Sequence, residues 1–460
     1  MIDNIGVNSE IKKVPKRILT SLLASVSAGV VPRAGAPYIA IGRNEEIGAL
    51  LSDLEEIDAG GGSMRFIIGR YGSGKSFLMQ LMRGYALERD FITADADLSP
   101  ERRLYGTGGS GRATYRELIK NLASKSSPDG GALPKLIARW VDGLSNAVIS
   151  EGIDPDSPSF AARLNSLVSS KLDDVRDLVG GFDFSRVVVE YYKAYKSGDD
   201  EKRAACMRWL RGEFSGKTEA KNALGFSVSV IVDDDNWYDF MKLWASLVRS
   251  MGYRGLVLFI DECVNLYKIS HRVSRENNYE KILSMFNDTL QGRASGLGIV
   301  FGGTPQFLED TRRGLFSYEA LRSRLCDSRF ASSEFKNLMG PVIRLRRLGD
   351  DELFALITRI TNLYAENYGK TPRISEEDKV KFLTICLQRA GADSMITPRE
   401  MLRDYMTVLN ILMQNEKVCF DDIAGSVVTL ATNAQDDTEA NEQENTQEKK
   451  TVYTPSDIEF

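Results

Sequence analysis

The segment Gly69-Arg70-Tyr71-Gly72-Ser73-Gly74-Lys75-Ser76 constrains the fold of this chain more than any other. It matches the pattern G-x-x-x-x-G-K-[ST]. A short apolar run, residues 64–68, precedes it, and a helical pattern begins directly after it. A glycine-rich turn between a strand and a helix N-terminus presents backbone N–H groups to phosphate oxygens, with the lysine at the terminal phosphates and the serine hydroxyl on Mg²⁺. The segment therefore predicts binding of a nucleoside triphosphate by Gly69, Tyr71, Gly72, Ser73, Gly74, Lys75, Ser76 and Phe77, with Ser76 as a metal ligand.

Length and composition limit the class of protein. The chain has 460 residues, of which 43% are hydrophobic and 27% charged, as is ordinary for a soluble globular protein. That length is enough for about two to four domains. No apolar run approaches the roughly 18 residues of a membrane span, and the N-terminus lacks the apolar core of a signal peptide. We therefore expect a cytoplasmic protein with no membrane association.

Histidine and cysteine usage excludes several kinds of chemistry. His271 is the only histidine, so histidine-based metal sites and Ser-His-Asp catalysis are excluded. The five cysteines are widely spaced and never form C-x-x-C, which favours isolated thiols over disulfides or zinc sites.

The net charge of −5 is unevenly distributed along the chain. Residues 434–460 contain eight acidic residues and two lysines, so the rest of the chain is close to neutral. The composition of this tail predicts disorder. A near-neutral body does not favour a protein that coats nucleic acid, although a local basic patch stays open.

A second apolar run, residues 255–260, ends in the two carboxylates Asp261 and Glu262. Such a run predicts a buried parallel strand, and ligands bind at the carboxyl ends of parallel strands. Asp261 is expected to hold Mg²⁺ and Glu262 to orient and polarise the attacking water. The alternative is a strand that ends in a solvated acidic turn.

Further strands are expected at residues 91–98, 297–303 and 342–345. Thr304 follows the second of these, where it could sense the γ-phosphate or the water; alternatively, a threonine before Pro305 caps the next helix. Strands that alternate with helices imply right-handed crossovers and a parallel sheet.

Most other segments have helical periodicity, including residues 14–31, 47–57, 115–122, 133–149 and 160–179. The motifs Ser375–Asp378 and Thr397–Glu400 resemble helix N-terminal caps. Because 186 positions separate Lys75 from Asp261, a large helical insertion is expected between the second and third strands. Arg211, Glu213 and the run 233–235 are interpreted as structural ion pairs or a solvated turn. The predicted division is 1–40 (N-terminal helix and adenine-side loop), 41–113 (phosphate-loop half), 114–250 (helical insertion), 251–348 (acidic-strand half), 349–433 (helical lid, in which a winged-helix element is left open) and 434–460 (acidic tail).

This order of motifs resembles the AAA+ ATPases, in particular their initiator-like and signalling branch. The segment at residues 41–46 resembles the Ile-Gly-Arg box of that class, which implies that Gly42 and Arg43 help to form the adenine pocket. The resemblance also implies an arginine finger and a sensor arginine in the lid. Finger candidates are Arg312, Arg313, Arg322 and Arg324, and the sensor candidate is Arg399; for each, a surface or structural role is the alternative.

Several other segments resemble the ATP-binding family associated with BREX-type phage-defence loci. They span roughly residues 15–405 and are GVVPR at 29–33, LSPER at 98–102, WLRGE at 209–213, IDECVNLY at 260–267, GTPQFLED at 303–310, RGLFSYEAL at 313–321 and TPRE at 397–400. Members of that family are often encoded beside a large superfamily-2 helicase, which implies a helicase or another defence protein as partner. The acidic tail is outside this resemblance.

The expected function is therefore a Mg²⁺-dependent ATPase that acts as a switch or motor in an antiviral defence assembly. The main alternative is an ATP-gated DNA-binding protein resembling AAA+ replication initiators. A third reading is a degenerate ATPase that binds nucleotide only as structural support. Oligomeric state, including a homo-oligomer, and direct DNA contact are left open by the sequence.

Overall fold

The computed structural model describes residues 14–176, 178–327, 337–389 and 397–425. The predicted acidic tail lies outside these residues. Contacts divide the chain into two units, one formed by Gly42–Arg347 and the other by Met1–Ile41 with Leu348–Phe460. The six-part division expected from the sequence is finer than these two units and remains a prediction.

Five parallel strands form one sheet within the described part of Gly42–Arg347. They are β1 (Ser63–Gly69), β2 (Ile92–Asp97), β3 (Leu256–Asp261), β4 (Leu297–Gly303) and β5 (Val342–Leu345). Their order across the sheet is β2-β3-β4-β1-β5. Asp97 is in register with Asp261, and Ile68 with Gly303, so the carboxyl ends of the strands lie at one edge. The predicted α/β architecture with a parallel sheet is confirmed, and all five strands lie where the sequence predicts them.

Helices make up most of the remaining described chain. In chain order they are α1 (Lys16–Ser27), α2 (Asn44–Asp58), α3 (Lys75–Glu88), α4 (Ser110–Lys120), α5 (Leu133–Ser150), α6 (Pro158–Lys171), α7 (Asp173–Arg176), α8 (Gly181–Ser197), α9 (Asp200–Leu210), α10 (Lys217–Leu224), α11 (Trp237–Ser250), α12 (Val264–Tyr267), α13 (Arg272–Leu290), α14 (Pro305–Glu309), α15 (Glu319–Leu325), α16 (Asp350–Tyr368), α17 (Glu376–Arg389) and α18 (Pro398–Gln414). Two short 3₁₀ helices cover Ala36–Ile39 and Leu315–Ser317. Within the described residues, no helix is both long enough and apolar enough to cross a bilayer.

Two helix boundaries differ from the sequence-based expectation. The helix expected at residues 47–57 begins earlier, at Asn44, because Glu45 and Glu46 occupy its first turn, where acidic side chains favour the positive helix end. The helical pattern expected at residues 160–179 is interrupted. It contains two helices, α6 and α7, because Leu172 leaves helical geometry at a φ of −104°.

Most residues of the strands are buried and apolar, and the buried charged residue among them lies in β1. Arg65 in β1 is buried and donates from Nε and Nη2 to the two carboxylate oxygens of Asp53 in α2, at 2.7 and 2.6 Å. A buried guanidinium is tolerated because this two-pronged pair, together with the Leu338 and Gly340 carbonyls that accept from Nη1, satisfies it. The pair attaches α2 to the strand that leads into the glycine-rich loop.

The chain between β2 and β3 is helical, as the 186-position spacing predicts. Its core is aromatic: the Phe184 ring lies 5.0 Å from that of Trp244, and Trp209 lies 5.4 Å from Phe240. Tyr115 Oη donates to the Leu210 carbonyl at 2.6 Å and accepts from Trp244 Nε1 at 2.9 Å. Because these polar atoms are buried and paired, the aromatic side chains hold a specific arrangement, and they belong to the same hydrophobic core as the strands of the sheet.

In the described part of the second unit, α1 packs against α16 and α18. Both predicted caps are confirmed. Thr397 Oγ1 accepts from the Glu400 amide at 3.2 Å while Glu400 Oε2 accepts from the Thr397 amide at 3.0 Å, and Ser375 Oγ accepts from the Asp378 amide at 3.1 Å. The described residues of this unit form helices and no strand.

Candidate functional site

The glycine-rich loop between β1 and α3 requires glycine at several positions. Gly72 and Gly74 adopt φ values of +75° and +89°, in the left-handed region that favours glycine. A Cβ on Gly69 would lie well inside the contact distance of Ser73 Oγ and 3.2 Å from Leu345 Cβ. The loop is therefore a tight turn over the start of α3, and the Tyr71 side chain at its tip is 77% exposed.

Lys75 is the first residue of α3, and Phe77, half-buried, follows in the same turn. Lys75 Nζ donates to the carbonyls of Gly69 and Arg70, at 3.0 and 3.2 Å, so the ammonium lies back over the loop. Burial lowers the pKa of Lys75, and Asp261 and Glu262 oppose that shift. The ammonium group is thus held at the loop beside two carboxylates.

Ser76 and Asp261 join the loop to the acidic strand. Ser76 Oγ donates to Asp261 Oδ2 at 2.6 Å. The other oxygen of Asp261, Oδ1, accepts from the Glu262 amide at 2.8 Å. Glu262 is exposed and has a φ of +58°, a strained value for a residue with a side chain. The expected metal ligands are therefore in direct contact, and the expected water-activating carboxylate follows immediately.

Asp97 is a third carboxylate at this edge and was not among the residues predicted for the site. It ends β2 in register with Asp261. Burial raises the pKa of Asp97, and the nearby Asp261, Glu262 and Asp95 raise it further, whereas Arg102 lowers it. The signal was present in the sequence, because a strand that ends in aspartate beside the acidic strand must bring its carboxylate to the same edge.

Arg43, expected in the adenine pocket, is buried behind the glycine-rich loop. One of its terminal nitrogens donates to the Ser73 carbonyl at 2.9 Å and to the Arg346 carbonyl at 2.6 Å. Gly42 precedes it with a φ of +71°. Arg43 therefore holds the backbone of the glycine-rich loop in place, a contribution that the sequence did not indicate. The role of Gly42 and Arg43 in the adenine pocket remains a prediction.

Thr304 directly follows β4, the strand between β1 and β3. Its Oγ1 accepts from the Phe307 amide at 3.3 Å and caps α14. The capping alternative is thus what the structure shows for this side chain, and a sensor role for Thr304 remains a prediction.

The arginine candidates differ in their surroundings. Arg313 donates to the Lys268 and Ile269 carbonyls and lies 5.3 Å from the Tyr267 ring, as a structural arginine does. Arg322 pairs with Glu319 at 3.6 Å. Exposed side chains are found at Arg312, Arg324 and Arg399, of which Arg399 lies on α18 in the other unit.

The residues at this edge fit ATP and Mg²⁺. Ser73 Oγ is buried in the loop and has no hydrogen-bond partner among the described residues, which leaves a polar atom for a ligand. The serine hydroxyl and the Asp261 carboxylate are 2.6 Å apart, close enough for both to act as ligands of one Mg²⁺ ion. Ser76 and Asp261 would hold the ion, and the loop amides with Lys75 would hold the phosphates.

Comparison with known proteins adds one match. The sequence model of a family described as BREX system ATP-binding protein BrxC/D matches residues 14–427, most of the chain. No curated protein matches the chain.

Proposed function

The chain belongs to the family of BREX system ATP-binding proteins, and we propose that it is a Mg²⁺-dependent ATPase that acts as a switch or motor in a phage-defence system. The observation that carries this proposal is the 2.6 Å hydrogen bond from Ser76 to Asp261, because it joins the phosphate loop to the acidic strand at one edge of the sheet. A loop that bound nucleotide only as structural support would not need Glu262 beside that pair.

The sheet order supports an AAA+ type core. β4 lies between the phosphate-loop strand β1 and the acidic strand β3, so Thr304 is carried to the same edge as Ser76 and Asp261. A phosphate loop, an acidic strand end and a polar strand end at one edge are the parts that such an ATPase needs. A winged-helix element in the helical lid remains a prediction.

Each residue of the site has a proposed role. Lys75 holds the terminal phosphates in place of its present backbone partners, and the exposed Glu262 orients a water and accepts its proton. Thr304 is the proposed sensor of the γ-phosphate. Arg324 is the proposed finger and Arg399 the proposed lid arginine, each supplying positive charge where negative charge develops on the phosphoryl group. Mg²⁺, when bound, would neutralise part of the negative charge on the phosphates.

The site is connected to the helical insertion by residues 98–105. The Leu98 amide donates to the Asp261 carbonyl at 3.0 Å, and Asn265 Nδ2 donates to the Leu98 carbonyl at 2.8 Å. Farther along, Asn278 Oδ1 in α13 accepts from the Leu104 and Tyr105 amides, at 2.9 Å each, and the Leu104 carbonyl accepts from Trp237 Nε1 in the insertion at 2.8 Å. A change at the end of β3 would therefore reach the helical insertion through this hydrogen-bonded segment. We propose that ATP hydrolysis moves the insertion in this way.

We propose a cytoplasmic location and a partner among the other proteins of the defence system, with a helicase as the first choice. We also propose that the chain self-associates, because an arginine finger from a neighbouring copy would complete the ATPase site. An ATP-gated DNA-binding protein is the alternative function. Gel-shift titration with duplex DNA, with and without ATP and across a salt series, separates the two, because phosphate contacts weaken steeply with salt.

Phosphate release from ATP by the purified chain tests the proposed function. We expect release that needs Mg²⁺ and stops when the ion is chelated. Nucleotide binding without any release, in the presence and absence of DNA and of the partner, would instead identify a nucleotide-binding protein that does not hydrolyse ATP.

A further inference from the structure

A cleft of about 640 Å³ opens on the helical insertion, outside the ATPase site proposed above. Its walls come from α4, the start of α5, the turn after α9 and the segment that follows β2. This volume is within the range of small-molecule sites, roughly 300–1,000 Å³. Two of the family-resembling segments, LSPER at 98–102 and WLRGE at 209–213, contribute residues to it. The proposed function gives the side chains of Arg102, Arg211 and Glu213 no role.

The charged lining of the cleft has an excess of positive charge. Four cationic side chains face two carboxylates; these are Arg102, Arg116, Lys120, Arg211, Glu117 and Glu213. A cleft lined mainly by one sign of charge raises the local concentration of ligands of the opposite sign. The lining therefore favours an anion.

The ion pairs inside the cleft are long and leave the cations available. Glu117 lies 3.8 Å from Arg102 and 3.5 Å from Lys120, and Arg211 is 3.9 Å from Glu213. Arg116 is exposed, and among the described residues it has no ion-pair partner. Such loose pairs in partly exposed positions contribute little to stability, so an incoming phosphate can replace them at small cost. An arginine guanidinium also matches phosphate geometry with two parallel hydrogen bonds.

The apolar part of the cleft is small. Pro134 at the start of α5 is partly exposed, whereas Ile119 and Leu133 are each only 1% exposed. A nucleotide has a phosphate for the arginines, a base that can lie against Pro134, and hydroxyl or amino donors for the carboxylates. We propose that this cleft binds the phosphate of a nucleotide unit, either a free nucleotide or part of a single nucleic-acid strand, at a site separate from the phosphate loop.

Arg102 relates the cleft to the edge of the sheet. Its Nε donates to the Asp97 carbonyl at 3.0 Å, while its Nη1 lies 3.8 Å from Glu117 inside the cleft. Asp97 is in register with Asp261. A ligand that draws Arg102 into the cleft therefore acts on a side chain that contacts the strand beside the acidic strand.

The test uses the full chain with Lys75→Ala, so that binding at the phosphate loop does not contribute. Two probes are titrated by calorimetry, AMP and a ten-nucleotide single strand of deoxythymidine. We expect at least one probe to bind at one site per chain, and Arg116→Glu in the same background to weaken it roughly tenfold or more, because a charge-assisted contact becomes a repulsion. Binding of AMP identifies a free nucleotide as the source of the phosphate, and binding of the strand alone identifies nucleic acid.

The matched control is Arg139→Glu, which makes the same charge change at an exposed position of α5 outside the cleft lining. It should leave the affinity unchanged. Both substitutions are at exposed positions, and thermal unfolding followed by circular dichroism checks that both chains fold. Absence of binding for both probes, or equal weakening by Arg116→Glu and Arg139→Glu, would overturn the proposal. Arg116 lies outside the phosphate loop, so any residual binding at that loop should not respond to Arg116→Glu. A negative result for the cleft would therefore leave the proposed ATPase function untouched.

Discussion

Ser76 Oγ donates a 2.6 Å hydrogen bond to Asp261 Oδ2, although 185 positions separate the two residues in the sequence. Ser76 lies in the first turn of α3 and Asp261 ends β3. They meet because only β4 separates β1 from β3 in the sheet, and parallel strands bring their carboxyl ends to one edge. This contact combines two sequence motifs into one candidate site.

Lys75→Ala should remove nucleotide binding. The Lys75 ammonium group can move from its backbone partners, the Gly69 and Arg70 carbonyls, to the terminal phosphates. We expect a loss of about 3 kcal/mol, roughly 100-fold in Kd, measured by titration with ATP. Lys171→Ala, at an exposed position of α6, is the control and should bind like the parent. Equal Kd values for the two variants would refute the role of Lys75.

Gly69→Ala should distort the phosphate loop. The added Cβ would overlap Ser73 Oγ, which can rotate away, but it would also lie 3.1 Å from Ser73 Cβ and 3.2 Å from Leu345 Cβ, so the loop must shift slightly. We expect the free energy of unfolding to fall by about 1–3 kcal/mol and ATP affinity to fall with it. Urea denaturation and an ATP titration measure the two effects.

Gly84→Ala in the same helix-and-loop unit is the matched control for Gly69→Ala. Its Cβ would meet no atom within 4 Å, and it lies inside α3. Alanine should raise the free energy of unfolding by about 0.5–1 kcal/mol, because it restricts the unfolded chain and favours helix. Similar losses for both variants would contradict the steric argument at Gly69.

Asp53→Ala should lower the free energy of unfolding by removing the ion pair that attaches α2 to β1. Both side chains of the Arg65–Asp53 pair are 10% exposed, so removal of the carboxylate leaves a buried guanidinium without its main partner. The expected fall in the free energy of unfolding is about 3–5 kcal/mol by urea denaturation. Asp156→Ala, at an exposed loop position, should change it by less than about 0.5 kcal/mol. A small effect at Asp53 would mean that Arg65 finds other partners at no cost.

Arg324→Ala should lower kcat by about 1,000-fold with little change in ATP affinity if Arg324 is a finger for a neighbouring copy. Arg322→Ala, at a residue that pairs with Glu319 on the same helix, is the control. Mixing Arg324→Ala chains with Glu262→Gln chains should restore part of the activity, because the second chain brings an intact arginine to the intact site of the first. No recovery, with each chain folded, would assign Arg324 a different role.

The fold was predictable where the sequence pattern is local. The apolar runs that became β1, β3 and β4 are short, buried on both faces and bounded by glycines or carboxylates, so their type and position follow from composition. The Thr397–Glu400 cap was equally readable, because its donors and acceptors lie three residues apart. Boundaries were weaker, as the break at Leu172 shows, because a hydrophobic helical pattern continues through it.

The candidate site was predictable only in its motifs. Lys75, Ser76, Asp261 and Glu262 were identified from their patterns, and the structure brings them to one edge. The support by Arg43 could not be predicted, since its acceptors are backbone carbonyls of residues 73 and 346 and any side chain may occupy those positions. The Arg65–Asp53 pair was missed for a related reason, because an arginine within a strand and an aspartate within a helix show no shared pattern.

Glu262→Gln provides the most direct test of the central claim. The amide keeps the shape of the carboxylate but accepts a proton far less readily, so the variant should bind ATP with a Kd close to that of the parent. Its rate of phosphate release should be lower by about 100-fold or more. Glu280→Gln, at an exposed position of α13, should retain the parent rate. Parental phosphate release by purified Glu262→Gln would contradict the assignment of Glu262 as the water-activating residue, and with it the proposed site of hydrolysis.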